Sequence, residues 1–210
     1  MSVIFGDDGS LRVTSTFGHA NSFQPAIDAG QIAQRNLQET AIDLTACRVH
    51  DAFGTNLPVA GATDDLGLVG GTFGTNAPSL QTEDLQDAGA TNNYARFLVC
   101  LPDNYVAGQT VKLRFSAGCI TNAADTTATL DLVCHKSDED NTVSADLCAT
   151  AAQSIKSTTF ADLDFTITPA ALSPGDMLDC RIVTAINDAA TGAEVIGCVA
   201  AIKLLCDTQG

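Results

Sequence analysis

Residues 111–116 read Val-Lys-Leu-Arg-Phe-Ser, so apolar and polar side chains alternate through the whole stretch. In an extended chain Val111, Leu113 and Phe115 share one face, and the polar residues between them share the other. Period-two alternation of this kind indicates a β-strand that buries one face and exposes the other. This stretch therefore predicts a strand at the surface of a sheet-built core.

The same alternation recurs outward from this strand, with turn-forming residues such as Ser173-Pro174-Gly175-Asp176 between the segments. Residues 146–155 are alanine-rich, and either a short helix or a weak strand is open there. About eight strands with almost no helical periodicity predict an all-β fold, an antiparallel two-sheet β-sandwich that is jelly-roll-like. The predicted strands are 42–49, 66–72, 94–101, 110–116, 127–135, 160–168, 177–186 and 194–206.

Five of the eight cysteines fall on the inward faces of these strands: Cys119, Cys134, Cys180, Cys198 and Cys206. In such positions a cysteine acts as a small core hydrophobe rather than as a ligand or nucleophile. No Cys-x-x-Cys pair occurs, which disfavours zinc. The N-terminal residues lack the basic and apolar regions of a secretory signal, so we expect reduced thiols.

The last strand is apolar on its second face as well, through Val195, Val199, Ala201 and Leu205. A strand that is apolar on both faces is either central in its sheet or in contact with a neighbouring subunit. Of these two alternatives the sequence analysis favours the subunit contact.

The first 40 residues differ from the rest, because Gln, Asn, Ser and Gly dominate residues 15–38 and few apolar side chains are available to bury. We predict an extended N-terminal arm over 1–40, with a short helix possible over 27–37, and a β-sandwich domain over 41–210. The segment 17–38 is the candidate contact with a partner.

Composition limits the possible functions. The chain has 210 residues and a net charge of -15, which repels a phosphate backbone and argues against nucleic-acid binding. Aromatic residues make up 5% and Trp is absent, so a sugar platform of stacked rings is disfavoured. No apolar stretch approaches the roughly 20 residues of a membrane span, and we predict no membrane association.

The candidate reactive groups do not form a recognisable catalytic pattern. No Gly-x-Ser-x-Gly elbow accompanies the three histidines, which are interpreted as exposed surface residues. The pairs Asp64-Asp65 and Asp162/Asp164 are interpreted as solvated carboxylates, and the glycines of 70–75 as turn residues. The acidic turn 138–141 is interpreted as a solvated hairpin tip, with calcium binding left open. We therefore predict no enzyme activity and no catalytic, cofactor or metal-binding residues. The histidines are His19, His50 and His135.

Three segments resemble phage virion structural proteins of the jelly-roll or β-sandwich kind: residues 94–102, 108–115 and 165–176. The resemblance covers roughly residues 40–208 and implies a capsid decoration (cement) protein, or less often a head-fibre or tail accessory protein. It also implies a homo-oligomer, with a trimer favoured, a major capsid or other virion protein as partner, and a location in the virion after assembly in the host cytoplasm. It supplies no catalytic motif to transfer.

Two other functions remain as alternatives. One is a carbohydrate- or receptor-binding module of a phage tail or head fibre, since β-sandwiches often carry such sites. The other is a hydrolase built on a jelly roll, which would need an acidic pair across a cleft.

Overall fold

The computed structural model describes residues 2–5, 11–14, 35–86, 88–138, 141–189 and 192–209. The chain divides into two units, residues 1–35 with 209–210, and residues 36–208. In the first unit, β1 (Ser2–Phe5) pairs antiparallel with β2 (Leu11–Thr14). The predicted helix over 27–37 and the partner contact over 17–38 lie largely outside the described residues, and the division at residue 40 stays a prediction.

The second unit is built almost wholly of strands, with two short 3₁₀ turns at Leu44–Ala46 and Pro169–Ala171. Six of its strands, β6, β7, β8, β11, β12 and β13, coincide with the regular alternating segments of the sequence. The strands are β3 (Arg35–Ile42), β4 (Gly67–Val69), β5 (Ser79–Gln81), β6 (Gly89–Cys100), β7 (Val111–Ile120), β8 (Thr127–Asp138), β9 (Thr142–Val143), β10 (Gln153–Ser154), β11 (Ala161–Thr166), β12 (Met177–Asp188) and β13 (Ile196–Gln209).

These strands form two sheets that pack as an antiparallel, jelly-roll-like β-sandwich, which confirms the predicted fold class. Sheet 1 has the order β10-β8-β12-β6, with β9 also on β8. Sheet 2 has the order β11-β7-β13-β5-β4, with β3 also on β13. The long strands alternate between the sheets along the chain, so each connection from β6 to β8 and from β11 to β13 crosses the sandwich. Both sheets therefore contribute to one core.

The core consists of the inward faces of the long strands. Phe97 of sheet 1 and Phe115 and Phe165 of sheet 2 are fully buried. The rings of Phe115 and Phe165 meet edge to face, with centroids 5.5 Å apart and planes at 85°. Aromatic pairs prefer this geometry because it places a positive ring edge against a negative ring face. The apolar face predicted from residues 111–116 is thus buried in the structure.

A β-bulge in β13 corrects one part of the prediction. The register shifts between Val199 and Ala201, so Val199 lies opposite Ala117 while Ile202 lies opposite Phe115. Ala117 and Phe115 share the inward face of β7, so the one extra residue reverses the phase of β13. Val199 therefore faces the core, and Cys198, although buried, is not part of the core cluster.

The bulge and the sheet order also account for the two apolar faces of the last strand. β13 lies between β7 and β5 rather than at an edge. Leu205 on its outer side is only 1% exposed within the single chain. The strand is therefore central, and its composition does not require the neighbouring subunit that the sequence analysis favoured.

Residues 42–49 are not the predicted strand. β3 ends at Ile42, and Asp43 caps the following 3₁₀ turn by accepting a hydrogen bond from the Thr45 amide at 2.8 Å. A short polar side chain that bonds to its own backbone competes with strand pairing, which explains the break. In the alanine-rich segment the strand alternative is correct, since β10 covers Gln153–Ser154. Within the described residues no helix is long and apolar enough to cross a membrane.

Candidate functional site

The outer face of sheet 1 carries several ionisable and aromatic side chains close together. In the register, Arg181 of β12 lies directly opposite Arg96 of β6 on one side and Val133 of β8 on the other. Asp179 occupies the next outward position of β12, opposite His135. Because side chains two residues apart share a face, these groups form one continuous surface.

This surface contains an open groove of about 300 Å³, which we call the sheet-1 groove. This volume lies at the lower end of the range found for ligand-binding pockets. The residues that line it are His50, Arg96, Val133, His135, Val143, Asp179 and Arg181.

Arg96 is fixed by a two-pronged ion pair with Asp179. Its Nε donates to Asp179 Oδ1 at 2.6 Å, and its Nη2 donates to the second carboxylate oxygen. The Asp179 carboxylate raises the pKa of the Arg96 guanidinium above its usual value. The Arg96 guanidinium also lies 5.1 Å from the centre of the Phe53 ring. The Arg96 side chain is therefore held by both the Asp179 carboxylate and the Phe53 ring, and it is not free to reorient toward a ligand.

Arg181 is held differently. Its guanidinium lies 5.4 Å from the centre of the Tyr94 ring, which places a cation over an aromatic face. None of the ion pairs found among the described residues involves Arg181. Its Nε is buried and has no hydrogen-bond partner. The groove therefore presents one positive charge that no carboxylate of the described chain neutralises.

His50 reaches the groove from a loop. Backbone hydrogen bonds between Arg48 and Arg96, at 2.8 and 3.0 Å, hold this loop along β6. The His50 ring then stacks on Tyr94 with centroids 4.6 Å apart. Its Nδ1 lies 3.6 Å from Asp65 Oδ1, and neither atom has a hydrogen-bond partner. This arrangement joins His50, Tyr94 and Asp65 into a support for one end of the groove.

The histidine interpretation needs correction. His50 and His135 are half-buried rather than exposed, and both line the sheet-1 groove. His135 does lie on the polar face of its strand, as predicted, with Nδ1 2.9 Å from the Ser144 carbonyl oxygen. His19 lies outside the described residues. The alternation in β8 predicts which face of the sheet His135 lies on, but no local sequence pattern indicates that His50 lies at the same groove.

Two of the four carboxylates are less solvated than predicted, because Asp164 is ion-paired and Asp65 is half-buried, whereas Asp64 and Asp162 are exposed as expected. Asp164 accepts hydrogen bonds from Arg114 Nε at 2.6 Å and Lys112 Nζ at 3.4 Å, and the Arg114 bond lowers the pKa of Asp164. Asp162 precedes it on β11, whereas Asp65 lies beside His50. Within the described residues no group of three His, Cys, Asp or Glu side chains is placed to hold a metal ion. Most of the acidic turn 138–141 lies outside the described side chains.

The glycine-rich loop 70–78 has the turn role expected of it. Gly71 and Gly74 adopt φ values of 70° and 81°, which favour glycine. The loop surrounds an open recess of about 480 Å³, and the Phe73 side chain on it is fully exposed. This loop follows β4, the edge strand of sheet 2.

Thiol reactivity offers a direct check of the cysteine positions. Burial raises the pKa of Cys47 to about 12 and that of Cys148 to about 11, and it raises the pKa of Cys180 further above the usual thiol range. The thiolate is the reactive form, so these groups react slowly at about pH 8. We expect a maleimide to label Cys100, the exposed cysteine, first in the folded chain. Labelling in denaturant should then reach all eight thiols. Rapid labelling of Cys47 or Cys180 before unfolding would contradict the burial.

Comparison with known proteins places the chain in no family, since no family model and no curated protein matches it. Solved structures match at low identity. The CBM22-1 xylan-binding domain of Xyn10C from Paenibacillus barcinonensis is 13% identical, with 80% of this chain and 97% of that domain covered and a TM-score of 0.39. The enzymatically active domain of tailspike protein 4 from bacteriophage CBA120 is 17% identical, covers 81% of this chain and 19% of that one, and has a TM-score of 0.34. A structure of infectious bursal disease virus is 11% identical over 69% of this chain and 37% of that one, also at a TM-score of 0.34. These values assign no function to the chain.

Proposed function

We propose that the chain is a non-enzymatic structural protein of a phage virion, assembled in the host cytoplasm, that decorates and stabilises the capsid. Its partners would be the major capsid protein or another virion protein and further copies of the same chain, with a trimer favoured. The resemblance of residues 94–102, 108–115 and 165–176 to virion β-sandwich proteins suggests this role. The stabilisation would arise by mass action, because each bound copy favours the assembled shell.

The observation that carries the proposal is the exposure of apolar side chains around β4. Phe73 is fully exposed on the loop after β4, and Val59 is 87% exposed. The loop of Val59 is held beside β4 by a hydrogen bond from the Leu68 amide to the Pro58 carbonyl at 2.7 Å. Aromatic side chains, Phe among them, are enriched at the buried centres of protein interfaces. Phe73, with the exposed Val59 beside the same strand, therefore makes this edge of sheet 2 suited to contact a shell.

Phe73→Ala is expected to weaken attachment to purified particles. Losing a buried aromatic anchor costs an interface about 1–2 kcal/mol or more, which corresponds to roughly a fivefold to thirtyfold lower affinity. Co-sedimentation of the variant with undecorated capsids measures this loss. Leu98→Ala is the matched control, because Leu98 is also exposed, at 40%, but lies on sheet 1. Equal binding by Phe73→Ala and the original chain would contradict the proposed contact.

A truncation tests the arm in the same assay. β3 begins at Arg35, and Glu39 pairs with Arg114 at 3.3 Å and with Lys203 at 3.1 Å. The deletion should therefore stop at residue 34, so that β3 is retained. We expect the shortened chain to stay folded and to lose particle binding. Full retention of binding would show that the arm is not the contact.

The sheet-1 groove favours a second candidate function, a carbohydrate- or receptor-binding module of a phage tail or head fibre. The groove gathers charged, imidazole and aliphatic side chains on a concave part of the sheet, and a concave site with a few convergent polar groups is the usual form of a ligand pocket. A glycan array would test it, with reproducible binding as the supporting result and an empty array as the contrary one.

A further inference from the structure

The starting observation is a local imbalance of charge on the outer face of sheet 1. Arg96 and Arg181 lie directly opposite each other on paired strands, an arrangement in which like charges repel. The carboxylate at the next outward position of β12, Asp179, is committed to Arg96 through both oxygens. Arg181 has no ion-pair partner among the described residues, although the chain carries only 10 basic residues against 25 acidic ones.

The second observation is the unmet hydrogen-bonding capacity of Arg181. Its Nε is buried without a partner, and a buried donor left unpaired destabilises the fold. The guanidinium is planar and presents parallel N–H groups that match two oxygens of a carboxylate, sulfate or phosphate. The Tyr94 ring under it restricts its orientation. Arg181 is thus a positioned donor fork at the wall of an open groove.

Two other acidic residues lie near this face but outside the groove. Asp65 lies next to His50, and Asp131, opposite Val183 on the same face, accepts a hydrogen bond from the Leu132 amide at 2.9 Å. Neither lines the groove. An anionic group entering the groove therefore meets Arg181 with less competition than the overall charge of -15 suggests.

We propose that the sheet-1 groove is an anion-recognising site, in which Arg181 binds the carboxylate or sulfate of an acidic saccharide. His50 and His135 line the groove beside it and supply ring nitrogens for hydroxyl groups of the same ligand. Asp179 adds acceptor oxygens while it holds Arg96. This inference rests on the second candidate function, ligand binding at this face.

The test is calorimetric titration of the full chain with three probes: a trigalacturonate, a neutral trisaccharide of the same size and sodium sulfate. We expect the trigalacturonate to bind and the neutral sugar not to. Arg181→Gln should lower the affinity about tenfold or more, because a charge-assisted pair of hydrogen bonds is lost. Lys112→Gln removes the same charge from sheet 2 and should leave binding unchanged. Thermal unfolding of both variants verifies that they fold.

The outcomes distinguish the anion site from the more general claim that this face binds a ligand. Binding of sulfate as tight as that of the trigalacturonate supports an anion site whose source is a free ion, and tighter trigalacturonate binding supports the saccharide. Binding of the neutral sugar that does not depend on Arg181 would overturn the anion site and keep the ligand-binding face. If Arg181→Gln and Lys112→Gln lowered the affinity equally, the loss would be explained by the overall charge of the chain, and the proposed site would be wrong. If none of the three probes binds, both the anion site and ligand binding at this face are contradicted.

Discussion

Phe165→Ala is expected to lower the free energy of unfolding by about 3–5 kcal/mol, the range for removing a buried aromatic ring from a core. Phe165 is fully buried in β11, and its ring meets that of Phe115 edge to face. The substitution removes the transfer energy of the ring, leaves a cavity and ends the contact between the two rings. In thermal unfolding the midpoint should fall by about 6–20 °C for a domain of this size.

Phe73→Ala is the control for this measurement, because it deletes the same atoms from a fully exposed position. A surface change away from special contacts alters stability by no more than about 0.5 kcal/mol. Comparing the two variants therefore separates the effect of burying the ring from the effect of the residue change itself. If Phe165→Ala cost less than about 1 kcal/mol, β11 would not pack on the core as described.

The sandwich follows from the sequence to the extent that alternation is local. In β7 and β12 the inward residues can be read directly, because each strand keeps one phase from end to end. Short strands such as β4 and β5 are less predictable, since three residues carry too little pattern. Their position depends on pairing with residues far away in the chain.

The bulge in β13 shows where alternation fails. One extra residue between Val199 and Ala201 exchanges the inward and outward sides, and nothing in the local sequence marks it. The resulting inward residue, Gly197, packs closely on the opposite sheet, since a Cβ there would lie 2.6 Å from Thr184 Cγ2 and 2.9 Å from Ile186 Cδ1. A larger residue would force these side-chain ends to shift, and this long-range contact is not contained in sequence periodicity.

The sheet-1 groove was not predicted, although its residues were visible. Asp179 and Arg181 alternate along one strand, but Arg96 faces them only through the register of β6 and β12. His50 arrives on a loop held by backbone bonds to Arg96. Each residue taken alone has an ordinary explanation as a surface side chain. Only the pairing of strands separated by about 80 residues in the chain leaves Arg181 without the carboxylate that Arg96 has taken.

Gly67→Ala is expected to destabilise the chain by about 3 kcal/mol or more, the upper end for overpacking. Gly67 begins β4, and a Cβ added there would overlap the Ala60 carbonyl carbon and the Gly61 amide nitrogen. Both are backbone atoms and cannot rotate aside as a side chain can. The strand or the 58–61 loop must move, which breaks the bond from the Leu68 amide to the Pro58 carbonyl.

Gly70→Ala is the matched control for this change. No atom lies within 4 Å of a Cβ at Gly70, and its φ is not in the left-handed region. The added methyl only restricts the unfolded chain, so we expect stability between no change and a gain of about 1 kcal/mol. Chemical unfolding of the two variants, three residues apart, measures the difference. Similar stabilities would show that the 58–61 loop does not lie against β4. Because Val59 and Phe73 flank this strand, Gly67→Ala should also weaken particle binding, whereas Gly70→Ala should retain it.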